Sequence, residues 1–105
     1  MNKFSDILAT LANADHVQQI ALFNRDGRPA GLIVNQPGSQ GSVKVYFHLY
    51  QKFGSLDVSA AKEGLLLYAE HTQDAKDNPG KHPNIDRLFA VIAANTALSL
   101  DIQDY

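Results

Sequence analysis

A chain of 105 residues holds one domain, spanning 1–105, and 45% apolar or aromatic residues with 19% charged is the mix of an ordinary globular protein. The formal net charge of −2 lacks the basic excess on which a general nucleic-acid binder depends, so no nucleic-acid partner is expected. Cysteine is absent, which excludes disulfides, thiolate nucleophiles and cysteine-ligated metals.

Asp6 and Thr10 interrupt the N-terminal stretch, whereas a secretory signal needs an apolar run of roughly 7–15 residues. The longest apolar run, Leu88 to Ala94, is far too short to cross a bilayer. A cytoplasmic protein without membrane contact is expected. Phe4, Ile7, Leu8 and Leu11 fall at helical spacing and predict a first helix of about three turns. Asn2 is its expected cap, and Asn13 or Asp15 its stop.

Two apolar runs, Val17–Asn24 and Ala30–Asn35, flank Arg25-Asp26-Gly27-Arg28. Asp-Gly in that setting predicts a hairpin with a type I′ turn. Centring the turn on Asp26-Gly27 pairs Arg25 with Arg28, Phe23 with Ala30, Leu22 with Gly31, Ala21 with Leu32, Ile20 with Ile33 and Gln19 with Val34. Both faces are largely apolar near the middle, so helices cover part of both or a partner chain covers the second. Pro29 has no N–H to offer a further neighbour. The second strand is therefore an edge, and a third strand adds beside the first.

Gln36 to Gly41 reads as a loop, and Ser42 as the cap of a second helix with Val45, Tyr46, Leu49, Tyr50 and Phe53 inward. Gly54 ends that helix. Asp57 or Ser59 opens a third helix that runs to Asn78-Pro79-Gly80 with Ala61, Leu65, Tyr68, Thr72 and Ala75 along one side. Leu66, Leu67 and Ala69 widen its apolar surface, so it is expected to be the central one. Pro83 suits the first turn of a fourth helix with Ile85, Leu88, Phe89 and Ile92 inward, ended by Asn95-Thr96. Leu98, Leu100 and Ile102 alternate with polar residues and predict a last strand. The expectation is an α+β domain: a small antiparallel or mixed three-stranded sheet containing a hairpin, packed by about four helices in the order α-β-β-α-α-α-β. Leu65 and Leu88 are the expected core centres of its two most apolar helices.

Chemistry-bearing residues concentrate in one region. Glu70, His71 and Asp74 lie within about one helical turn of each other, and a turn through Pro79-Gly80 can fold His82 and Asp86 back towards them. Imidazoles and carboxylates together can hold a metal ion or trade protons. The plainer reading is a solvated helix end, with His71 touching Asp74 and Asp86 favouring the helix dipole. None of the four histidines, His16, His48, His71 and His82, belongs to a recognised metal-binding spacing. Lys81 and His82 precede a helix start where Asn84, Ile85 and Asp86 are expected to carry unpaired N–H groups, an anion-binding geometry. Pro37 to Ser42 also leads from strand to helix but lacks the G-x-x-x-x-G-K-[ST] phosphate loop. No G-x-S-x-G elbow is present. Tyr46, Phe47, His48 and Tyr50 could offer stacking surfaces to bases, but helical spacing sends Tyr46 and Tyr50 to the core.

Several segments carry a family likeness: Gln51-Lys52-Phe53-Gly54, Ala60-Ala61-Lys62-Glu63-Gly64-Leu65, Tyr68-Ala69-Glu70-His71-Thr72 and above all Asn78-Pro79-Gly80-Lys81-His82-Pro83-Asn84-Ile85-Asp86-Arg87-Leu88. With them the chain resembles a small bacterial family of single-domain proteins, about 100 residues long, of unknown function. The resemblance implies a bacterial, proteobacterial protein and carries over no activity and no catalytic residue.

The residues themselves point to a small binding or protein-interaction module without catalysis, metal or cofactor. Its expected partners are a second copy of itself, a small anion or a protein. The expected anion site comprises His71, Lys81, His82, Asn84 and Asp86. The alternative is a metal-assisted or acid–base enzyme using His71, Asp74, His82 and Asp86.

Overall fold

Residues 3–105 are described by a computed structural model. In chain order the elements are α1 (Phe4–Leu8), β1 (Val17–Phe23), β2 (Pro29–Val34), α2 (Gln40–Phe53), α3 (Val58–Leu67), α4 (Glu70–Asp77), α5 (Pro83–Ala94) and β3 (Ser99–Asp104). This is the expected α+β order, with the third helical stretch divided in two. The sheet is antiparallel throughout and ordered β2-β1-β3, as Pro29 required. No helix among the described residues is long and apolar enough to cross a membrane.

The register of the hairpin matches the expected one from Gln19↔Val34 to Leu22↔Gly31, then shifts so that Phe23 faces Pro29 rather than Ala30. The turn is not type I′. Gly27 N–H donates to Asn24 O, Asn24 N–H donates to Arg28 O, and only Gly27 within the loop has a positive φ, of 86°. Arg25–Gly27 thus form a three-residue loop closed by Asn24 and Arg28, in which glycine alone takes the left-handed position. Arg25 does not pair with Arg28. Asp26 accepts the Arg28 N–H through its side chain and so holds the turn from within.

Helix α1 is shorter than its apolar spacing predicts. The Thr10 hydroxyl donates to Ile7 O and Asn13 accepts from Asp15 N–H, local bonds that compete with helix continuation. Phe4, Leu8 and Leu11 still dock on the core. The Asn2 cap lies outside the described residues; the N-cap position falls to Lys3, whose N–H donates to Asp6.

The central helix is α2, not α3. Val43, Val45, Tyr46, Phe47 and Leu49 are all buried, and α2 packs against α1, α3, β1 and β2. It starts earlier than expected, with Ser39 rather than Ser42 at the cap. The Ser39 hydroxyl turns back to Val34 O, tying the helix entry to the end of β2. Tyr50 is exposed rather than in the core. Asp57 caps α3 by accepting from Ala60 N–H. At Gly64 the helices meet closely: a Cβ there would stand 2.8 Å from Leu88 Cδ1 and 3.1 Å from Leu49 Cδ1. Leu65 lies at the margin and Leu66 is 77% exposed, so the buried side of α3 is Ala60, Ala61 and Gly64. On α5 the innermost residues are Ile85, Leu88 and Val91, with Phe89 and Ile92 at the flank.

The expected single long helix breaks at Ala69, whose φ is +52°. A left-handed non-glycine residue costs on the order of 1–3 kcal/mol. Bonds made at the break offset it. Tyr68 turns inward and donates to Ser42 Oγ at 2.7 Å, its ring stacks on Phe4, and Thr72 donates to Leu65 O.

Candidate anion-binding site

Breaking the helix at Ala69 sends α4 off in a new direction, and the Asn78-Pro79-Gly80 turn brings the start of α5 back beside it. Asp74 sits at the junction. Its Oδ2 accepts from Lys81 Nζ at 2.9 Å and pairs with His82 Nε2 at 2.6 Å, while Oδ1 accepts from Asn78 Nδ2 at 2.9 Å. The hydrogen bond to His82, and then that to Lys81, hold the Asp74 carboxyl down to about 2. The His71 ring stands 5.6 Å from the His82 ring and edge-on to Phe4. Glu70 accepts the Phe4 N–H, which lowers its pKa and ties α1 to α4.

Asp86 does not join this group: its Oδ2 accepts from Gly80 N–H at 2.9 Å and closes the turn. The four side chains of the enzyme reading are therefore only partly brought together. Among the described residues no three His, Asp or Glu side chains converge to hold a metal ion. No serine hydroxyl there hydrogen-bonds to a histidine either. His71 does not bond to Asp74 as the plainer reading supposed; His82 occupies that carboxylate.

A cleft of about 390 Å³ opens beside the cluster, lined by Ser39, Gly41 and Ser42 of the α2 entry, by His71, and by Lys81, His82 and Asn84 at the α5 entry. Two helix N-termini thus share one cleft, although they are far apart in sequence. Each carries roughly half a positive charge from its aligned peptides. In α2 the N–H groups of Gly41 and Ser42 have no backbone acceptor; the first bond back is that of Val43 to Ser39 O. In α5 the expected set of free donors is reduced. Ile85 and Asp86 N–H both donate to His82 O, which leaves Asn84. The Ser42 Oγ accepts from Tyr68 and so keeps its own proton to donate. Burial pushes the Tyr68 phenol well up, so it stays a donor.

Neither the α2 entry nor Ser42 belonged to the residues expected from the sequence. The Pro37–Ser42 stretch carried the only signal, a Gly/Ser turn from strand into helix. Without the juxtaposition with Lys81 and His82 it read as a connector.

A family model described as "uncharacterized protein conserved in bacteria" (DUF2322) matches residues 4–102, nearly the whole chain. The chain belongs to this family. The match spans both cleft-forming entries, β1 and β2, and β3 as far as Ile102. No curated protein and no solved structure matches the chain.

Proposed function

We propose that this bacterial protein is a small binding module without catalysis, and that its ligand is a small anion, a phosphate or carboxylate, held between the entries of α2 and α5. One observation carries the proposal: the unpaired N–H groups of Gly41, Ser42 and Asn84 line the same cleft as Lys81, His71 and His82. The donors are preformed, so an anion ordered there requires little reorganisation. Asp74 opposes it, because its carboxylate already pairs with Lys81 and His82. The bound anion competes with that carboxylate, which keeps affinity moderate and makes it salt-dependent.

Amide spectra with inorganic phosphate at pH 6 test this. Saturable shifts are expected at Gly41, Ser42 and Asn84, and not at Ile85, whose N–H is taken. Lys81→Ala weakens the shift and Asp74→Asn strengthens it. Unchanged Gly41, Ser42 and Asn84 amides through millimolar phosphate reject the proposal.

A second reading concerns self-association in the cytoplasm. On the sheet face opposite Ile20 and Leu22, Leu32 is 54% exposed beside Ala21, with Phe23 and Val34 partly exposed. The two edges of the sheet differ in charge. Strand β3 carries Asp101 and Asp104, which repel a copy of themselves, whereas β2 has no charged residue from Pro29 to Val34. A second copy therefore adds at β2. Sedimentation at micromolar concentration tests this reading; a species of 11.5 kDa throughout rejects it.

A further inference from the structure

Arg87 is half-buried and has no carboxylate within ion-pair distance among the described residues. Both of its hydrogen bonds run from Nη1 to neutral oxygens, Tyr46 OH at 3.2 Å and Asn84 Oδ1 at 3.0 Å. Its Cζ lies 5.6 Å from the centre of the Tyr46 ring. The guanidinium also rests against Gly31, where a Cβ would stand 2.5 Å from Nη2 and 3.0 Å from Nε. Glycine at that strand position is what lets the group lie there.

These contacts hold the guanidinium in place and leave one of its edges unused. Nε and Nη2 have no acceptor among the described residues. Among the described residues no fully buried polar side-chain atom lacks a partner, so these two nitrogens are not fully buried. Nε–H and one Nη2–H point in parallel, the pair that matches the two oxygens of a carboxylate. Arg87 borders a cleft of about 250 Å³ whose other walls, apart from Asn24 and Thr96, are apolar: Ala30, Ala90, Val91, Ala94 and Leu98. A bare inorganic anion fills the charge but leaves those walls wet.

We propose that this second cleft takes a carboxylate bearing a short apolar chain. The carboxylate oxygens accept from Nε and Nη2 of Arg87, and the chain lies along Ala90, Val91 and Ala94 of α5 against Ala30 of β2. Tyr46 and Asn84 are positioning residues that fix the fork before the ligand arrives.

Titration with hexanoate, followed at the Arg87 Nε–H and the backbone amides by NMR, tests the assignment. The expected result is a saturable shift at Arg87 Nε–H together with Ala90, Val91 and Ala94. Hexanol, which has the chain without the charge, binds at least about tenfold more weakly, the scale of one charge-assisted hydrogen bond. Arg87→Lys keeps the charge, loses the parallel pair and weakens hexanoate about tenfold on the same scale. Ala90→Leu, at an exposed position, fills the groove and abolishes binding while Arg87 is intact. No saturable shift with millimolar hexanoate, or equal binding of hexanol, overturns the proposal. Hexanoate shifts confined to Gly41, Ser42 and Asn84 also overturn it, since they put the carboxylate between the α2 and α5 entries instead.

Discussion

His82 Nε2 lies 2.6 Å from Asp74 Oδ2, and this bond joins the first residue before α5 to the middle of α4 across the Asn78-Pro79-Gly80 turn. Lys81 shares the same carboxylate oxygen. One aspartate thus fixes both the path of the turn and the charge balance of the cleft beside it.

That relationship sets a pH dependence. The Asp74 carboxyl titrates near 2 in the folded protein, against an ordinary value of 3.8. A depressed folded pKa means that the contribution to stability is complete above the unfolded value and is lost as pH falls from about 3.8 through about 2. Asp74→Asn is expected to melt lower than the natural protein at pH 7, and the difference is expected to close through that window. Thermal melts at a series of pH values check it; a gap that persists unchanged below pH 2 contradicts the assignment.

Leu88 is fully buried and Leu65 only partly so. Leu88→Ala is expected to destabilise by about 2–5 kcal/mol and Leu65→Ala by about 1 kcal/mol, because less surface leaves water at the second site. Chemical denaturation measures both. Equal losses mean that the packing face of α3 is misassigned.

Gly64→Ala places its new methyl against Leu88 Cδ1, at 2.8 Å before any relaxation. Overpacking costs about 1–3 kcal/mol and the gain in helix propensity returns up to about 1 kcal/mol, so a net loss is expected. Combined with Leu88→Ala, the same methyl enters vacated space. The double variant is therefore expected to lose less than the sum of the single losses, and a double-mutant cycle by denaturation reads the coupling. Strict additivity shows that the two side chains do not meet.

Leu32→Lys puts a charge on the open sheet face beside the free β2 edge. Sedimentation is expected to show a dimer for the natural chain and a monomer for this variant, with similar melting temperatures at low concentration. A monomeric natural chain removes the role assigned to the face.

Tyr46 OH donates to Asn84 O and accepts from Arg87, and burial pushes the phenol up to about 12. Tyr46→Phe is expected to cost about 1–3 kcal/mol, the penalty for leaving a buried partner unsatisfied. It is also expected to weaken hexanoate binding at Arg87, and wild-type affinity in this variant shows that the fork is fixed without the phenol.

Local chemistry determined a good part of this molecule. Apolar runs on either side of Asp26-Gly27 placed β1 and β2, and alternation placed β3; the missing N–H of Pro29 put β2 at the edge; Gly54, Asp57 and Pro83 marked helix ends, because each acts on backbone groups within a few residues. Membership of the bacterial family was legible from the Asn78–Leu88 peptide in the same way. What the tertiary structure decided depends on competition between distant groups. The break at Ala69 has no breaker residue to announce it; it exists because Tyr68 gains Ser42 and Phe4, residues more than two dozen positions away. The same holds for α2 becoming the central helix, since burial depends on which neighbours surround it. The candidate anion site was half legible: Lys81, His82 and Asn84 stand at a helix start that any reading of prolines finds, while Gly41 and Ser42 join them only through tertiary packing, in which Tyr46 of α2 bonds to Asn84 of α5. Which N–H groups stay free was also settled in three dimensions, where His82 O takes two donors that spacing alone left open.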